Sequence, residues 1–406
     1  MEFHCLPCHY PSKSSQPAQI LGSRPVPGCR GLDCLMAPDL PCTGLNVAAR
    51  CAPARTALRF GFGFAALWSP SADSHLSITA MLYPLTFHPI FKGRVWGGRA
   101  LKRLYQKELP ANVPIGESWE ITDRPDAVSV VANGPLAGKD VRWLMEHHAR
   151  QLLGPARAQA ERFPLLIKIL DAQEKLSLQV HPPAPIATCL GGEPKTEMWY
   201  IAHAEPGAEL YVGLRRGVTQ AEFERKIKDR TVADCFHRVP VKSGDAMFLP
   251  SGRVHGIGAG IVIFEIQQNS DTTYRVFDWN RLGLDGRPRE LHVEQSLKCI
   301  DFNDFEPNLA DGEIRRIETS WLLVQTLVND PLFLIEAVSM TRKTSDDVPN
   351  GNLTIIGVVE GQLRVSHVSG EIALGPGRFC LIPAGLEQVT LKSEEPAKFL
   401  RVQPGR

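Results

Sequence analysis

Two stretches of this chain share one turn. GDAMFLPSGRVH (244–255) has the form G-x5-P-x-G-x2-H, and GRFCLIPAGLEQ (377–388) has G-x5-P-x-G-x2-Q. Each reads as a turn glycine, a short strand, and a Pro-x-Gly turn that aims the residue after it. The second copy lies in a strand-rich region, roughly 320–404, containing NLTIIGVVEGQLRVSHVSG and EIALGPG. The repeat favours a mainly β chain built from two barrels of the jelly-roll kind. His255 ends the first copy and Gln388 the second, so the first barrel is expected to carry chemistry and the second to serve packing or enclosure.

The rest of the body agrees with that class. GESWEIT (116–122), AVSVVA (127–132), LLIKILDA (165–172), LSLQVH (176–181), EMWYIA (197–202), ELYVGL (209–214), DAMFLP (245–250) and GIVIFEIQQ (260–268) read as strands. Helical readings are few. DVRWLMEHHARQLLG (140–154) has helical apolar spacing and a glycine stop, and TQAEFERKIKD (219–229) opens with Thr219 and Glu222 in capping-box spacing.

With 406 residues the chain has room for two or three domains. We expect an extension over 1–80, a catalytic metal-binding domain over 81–318 and a metal-free C-terminal barrel over 319–406. The first 80 residues hold six of the ten cysteines and no sustained periodicity, and lack the parts of a secretory signal. They read as a non-native or disordered extension, with ordinary globular patterning starting at Met81. Cys5 and Cys8 form a CxxC, but no second half completes a zinc site there. The remaining cysteines are scattered, which suits a reduced, cytoplasmic protein. A net charge of +1 gives no electrostatic case for nucleic acid or a membrane surface, and FGFGFAALW (60–68) is too short to span a bilayer.

Three segments place metal-ligand types at strand ends. Gln179 and His181, two apart in LSLQVHPP, share one face of a strand. Glu197 opens EMWYI, and His255 follows the Pro-x-Gly turn. One amide, two imidazoles and one carboxylate suit Zn²⁺, with Mn²⁺, Fe²⁺ or Co²⁺ as competitors. A lone strand histidine is more often hydrogen-bonded than metal-bound; the ordered set of four makes the case. Lys195, two before Glu197, would share its face in an extended chain and could touch substrate hydroxyls or move a proton.

The set is similar to the cupin superfamily pattern, with Gln179 where the first histidine of its HxH usually stands. From about Leu82 to Phe302 the chain resembles type I mannose-6-phosphate isomerase (phosphomannose isomerase) in its short bacterial form. VWGG (95–98), GESWEI (116–121), LLIKILDAQEKLSLQVHPP (165–183), KTEMWYI (195–201), PSGRVHGIG (250–258) and QNSDTTYRVFDWNR (268–281) carry the likeness. The resemblance implies one zinc ion on Gln179, His181, Glu197 and His255, and an active-site arginine at Arg275. It implies interconversion of mannose 6-phosphate and fructose 6-phosphate by proton transfer between C1 and C2. Glu265 is then a candidate base or a partner of a ligand, and Lys175 a candidate phosphate contact. Trp96, Trp119, Glu117 and Glu120 could meet the sugar or simply seal the barrel. A cupin oxygenase or a sugar-binding regulator is the alternative. The sequence leaves the oligomeric state open between monomer and homodimer.

Overall fold

Glycine and proline cut the chain after Ile90 into short strands, and hydrogen-bond satisfaction then requires those strands to pair. The structure, a computed structural model, describes residues 82–317 and 321–405; the expectations for residues 1–80 lie outside the described residues. The named strands pair only antiparallel and fall into two pairs of larger sheets, with a two-stranded ribbon beside them. The first pair joins a six-stranded sheet to a five-stranded one. The larger runs in the order Ile90–Gly98, Ile115–Ile121, Leu165–Ala172, Ile261–Gln268, Glu197–Ala204, Ala246–Leu249. The smaller runs Tyr274–Phe277, Leu178–Val180, His255–Ile257, Glu209–Leu214, Phe236–Pro240. The C-terminal pair, built from Ile314 onward, has six and four strands. The chain is thus mainly β, as expected, and arranged as paired sheets.

The repeated turn plays the same part twice. Ala246–Leu249 is the edge strand of one six-stranded sheet and Phe379–Ile382 of the other. After each, the chain crosses to the smaller sheet, into His255–Ile257 and Val389–Ser393 respectively. The outcome at the aimed residue differs: His255 is buried, whereas Gln388 is exposed, with a left-handed φ of 56°.

Strands at the centre of the large sheet are buried on both faces. Leu165, Ile167 and Ile169 pack into an apolar core that runs on into the C-terminal sheets, through Phe264, Phe379 and Val402. The Phe264 ring meets those of Tyr105 and Phe379 at centroid distances of 5.7 and 5.3 Å. Leu166, Lys168 and Leu170 take the other face, toward the five-stranded sheet. This is why LLIKILDA shows no alternation of apolar and polar residues.

AVSVVA is a correction: only Ala127–Val128 is a strand, because the chain leaves the ribbon after two residues for isolated bridges from Val130 and Val131. The two expected helices form at Val141–Leu153 and Gln220–Lys228, with Asp140 and Thr219 side chains accepting from the Trp143 and Glu222 N–H groups. Ala100–Tyr105 and Val293–Cys299 are further helices, too short to leave a periodic signal. Among the described residues no helix is long and apolar enough to cross a membrane.

Candidate active site

Register decides which side chains meet. Directly opposite residues of an antiparallel sheet share a face. In the large sheet Trp119, Lys168, Glu265 and Trp199 are successive partners, so one row crosses four strands. Gln267 pairs with Glu197 two residues along, on the same face. In the smaller sheet Arg275, Gln179 and His255 form a row of their own. The candidate site lies where these rows meet.

His181, Glu197 and His255 converge, each almost wholly buried. His181 Nε2 and His255 Nε2 are 3.2 Å apart, and each lies 3.4 Å from a different Glu197 oxygen. Gln179 reaches 3.4 Å from His255 Nε2 with its amide nitrogen; a half-turn of the amide would offer its oxygen there. Donor atoms about 2.0–2.1 Å from a four-coordinate ion stand roughly 3.3 Å from one another. The observed spacings fit such an ion.

The protonation states fit as well. His181 Nδ1 lies 2.8 Å from the Thr272 carbonyl and His255 Nδ1 2.9 Å from the Arg253 carbonyl. A carbonyl only accepts, so each Nδ1 carries the proton and each Nε2 presents a lone pair inward. Burial lowers both imidazole pKa values, that of His255 to about 3, and keeps them neutral. Burial alone would raise the Glu197 carboxyl, but the Lys195 ammonium holds it well below the usual range. Lys195 Nζ sits 2.7 Å from Glu197 Oε2 and 3.2 Å from His181 Nε2. The first contact is one of charge: among the described residues neither Glu197 oxygen has a donor in hydrogen-bond geometry. A buried carboxylate left this way is a costly arrangement that a cation would relieve.

A cavity of about 600 Å³ opens beside this cluster. Trp96, Glu117, Gln179, Lys195, Glu265 and Arg275 line it, as does Lys168. Glu265 lies 3.3 Å from the Lys168 ammonium and accepts from Trp199 Nε1 at 3.0 Å. The Trp199 ring stands edge-on to His255, so one indole buttresses both groups. Burial, then the Glu197 charge, raises the Glu265 pKa against the pull of Lys168. Burial opposes the Lys168 charge, yet Glu265, Asp271 and Glu117 raise its pKa. Arg275 donates to the Glu290 carbonyl, while its Nε is buried without a hydrogen-bond partner among the described residues.

Two expectations go elsewhere. Lys175 does not line this cavity; its ammonium lies 3.0 Å from the Tyr211 hydroxyl and 4.8 Å from the Trp279 ring centre, aromatic contacts that occupy its charge. Glu120 falls on the opposite face of its strand from Glu117 and bonds Lys107 and Ser118. Trp119 is buried against Lys168 and donates to Glu117. Lys168, Arg94, Asp271 and Arg289 join the cavity wall without having been singled out in the sequence. Lys168 had a signal: it is the one charge inside the apolar run LLIKIL.

Glu117 is held between Arg94, at 2.6 Å, and the Lys168 side of the row. Burial would raise its carboxyl, but these cations and the Trp119 N–H lower it to about 2, from 4.5. A depressed carboxyl stabilises the fold above its unfolded pKa and loses that contribution as pH falls through the folded one. Glu117→Gln is therefore expected to flatten the stability–pH curve between about pH 4.5 and 2. Denaturant midpoints across that window test it; parallel curves for the two proteins would refute it.

A family model, phosphomannose isomerase type I, catalytic domain, matches residues 85–191. The chain is 37% identical over 314 residues to mannose-6-phosphate isomerase ManA of Bacillus subtilis (strain 168), covering 76% of this chain and 96% of that protein. It is 35% identical to the mannose-6-phosphate isomerase of Streptococcus mutans, across 75% of this chain and 93% of that one. The crystal structure of the mannose 6-phosphate isomerase from Bacillus subtilis superposes with a TM-score of 0.72 at 30% identity, over 79% of this chain and 99% of that one. A mannosephosphate isomerase-like structure from Archaeoglobus fulgidus, at 21% identity and a TM-score of 0.63, shares the fold. With near-complete coverage of its relatives and the identity they show, this chain belongs to the type I mannose-6-phosphate isomerase family.

Proposed function

We propose that this protein interconverts D-mannose 6-phosphate and D-fructose 6-phosphate, with one Zn²⁺ held by Gln179, His181, Glu197 and His255. The observation that carries the reading is the meeting of neutral imidazole lone pairs and an unsatisfied buried carboxylate at the spacing of a four-coordinate ion, beside a cation-rich cavity. Zinc would supply Lewis acidity that polarises the sugar carbonyl without a change of redox state.

The protein's own groups supply the rest. An aldose becomes a ketose when a base takes the proton from C2, an enediol forms, and the proton returns to C1. Glu265 is our candidate base: it lines the cavity, burial raises its carboxyl above the ordinary value, and Lys168 and Trp199 fix its orientation. Lys195 and Arg275 stabilise negative charge on the sugar oxygens as it develops. Arg275 and Arg289, both on the cavity wall, suit the dianionic phosphate. Trp96 and Glu117 complete the wall against which the sugar lies. Each pair of sheets is read as a cupin-type jelly roll; the division expected between 318 and 319 falls instead before Ile314, whose strand joins the C-terminal pair. The C-terminal pair is assigned a packing role, and the protein a cytoplasmic setting.

The test uses the full chain. Strip it with a chelator, reload single metals, and couple mannose 6-phosphate conversion to detection of fructose 6-phosphate. Zinc should restore turnover at one ion per chain. No product from a zinc-loaded, folded protein would overturn the assignment.

A further inference from the structure

We propose that Asp278 is a positioning residue that sets the preference for a phosphorylated sugar by holding Arg289 on the cavity wall. The inference rests on the sugar-phosphate reading above and deepens it.

Asp278 is 6% exposed in its side chain and lies outside the cavity lining. Arg289, which lines the cavity, gives Nε to Asp278 Oδ2 at 2.7 Å and Nη2 to Oδ1. Arg281 gives Nε and Nη2 to the same Oδ1, at 3.1 and 2.9 Å, and its Nη1 to the Lys175 carbonyl. One carboxylate therefore ties both feet of the segment between Arg281 and Arg289. That segment is a small hairpin: Leu282 bridges Pro288, and Gly283 N–H bonds the Arg287 carbonyl at 2.7 Å. Its Gly283, Leu284 and Asp285 also line the cavity.

The chain is bent deliberately to make this tie. Trp279 and Asn280 both take left-handed φ values, 56° and 54°, an uncommon cost for two consecutive non-glycine residues. The turn returns Arg281 N–H to the Asp278 carbonyl at 3.2 Å and brings its guanidinium over the carboxylate. Arg289 spends Nε and Nη2 on Asp278, and its Nη1 has no hydrogen-bond partner among the described residues. A guanidinium held by two parallel bonds keeps one orientation, so less freedom is lost when an anion arrives. Arg275 lies close enough to depress, with burial, its own pKa through the Arg289 charge, which places two cations together on that wall.

Asp278→Asn keeps the shape and removes the charge and one acceptor. The KM for mannose 6-phosphate should rise about tenfold or more, the scale of a lost charge-assisted pair, while kcat changes far less. Competitive inhibition by inorganic phosphate should weaken by the same factor. In an Arg289→Ala background the same change should add almost nothing, because both act through one guanidinium. Equal and additive losses in the two backgrounds, or unchanged phosphate inhibition, would overturn the proposal. If Asp278→Asn does not fold, Arg289→Lys, which keeps the charge but not the fork, must show the KM rise and weaker phosphate inhibition; unchanged values overturn it equally. A wild-type protein that is neither inhibited by phosphate nor active on mannose 6-phosphate would instead refute the sugar-phosphate reading itself.

Discussion

Glu197→Gln is expected to cost the protein its metal and its turnover together. Glutamine keeps the shape but removes the only negative charge among the four proposed ligands, and leaves the Lys195 ammonium, 2.7 Å away, without its anion. Outer partners of metal ligands are worth about 10–100-fold in affinity; loss of a ligand charge should exceed the upper figure. Two readouts check this without relying on activity. Metal content after dialysis against a weak chelator should fall from one ion to none. Wild-type protein should also gain about 2.7 kcal/mol of stability when zinc is a hundred times its dissociation constant, and the variant almost nothing. A variant that keeps its ion and its thermal shift would place the ligand set elsewhere.

Lys168→Met should bring the largest loss of stability, about 3–5 kcal/mol, because removing one partner of a buried ion pair strands the other. Here the stranded group is Glu265, at 3.3 Å; Glu117 loses the Lys168 charge but keeps Arg94 at 2.6 Å. Turnover should fall as well, since Glu265 would lose the cation that orients it. The double variant Lys168→Met/Glu265→Gln separates the two effects. It should regain much of the stability, having no stranded carboxylate at Glu265, but no turnover. Urea midpoints read the first and the coupled assay the second. A single variant as stable as wild type would mean that the pair contributes little to holding the sheet.

Local signals carried much of the fold. LLIKILDA and ELYVGL form the strands Leu165–Ala172 and Glu209–Leu214, because burial and β-branched residues fix them within the segment itself. The helix start at Thr219 was readable because capping is a contact between near neighbours, and the helix of 140–154 by its apolar spacing and glycine stop. Failures came where tertiary context decides. AVSVVA alternates like a strand but is one over only two residues, Val130 and Val131 making single bridges elsewhere. In the site, the spacing of Gln179 and His181 and the turn before His255 were local facts. The presence of Lys168, Arg94, Asp271 and Arg289 on the same wall depends on cross-strand register and on the hairpin after Asp278, which no spacing rule reveals. Lys175 was the converse case: a basic residue near the motif in sequence, captured in space by Tyr211 and Trp279.

The placement of His181, Glu197 and His255 has a consequence for folding. They come from three segments and both sheets of the first pair, separated in sequence by 16 residues (181 to 197) and 58 residues (197 to 255). An ion shared by all three would close both loops at once. Closure entropy grows only as the logarithm of loop length, so the long loop costs little more to close than the short one. The bound metal would thus offset, in the folded state alone, the entropy of closing both loops, a reversible tie that is lost on unfolding, in a chain whose described cysteines are all free.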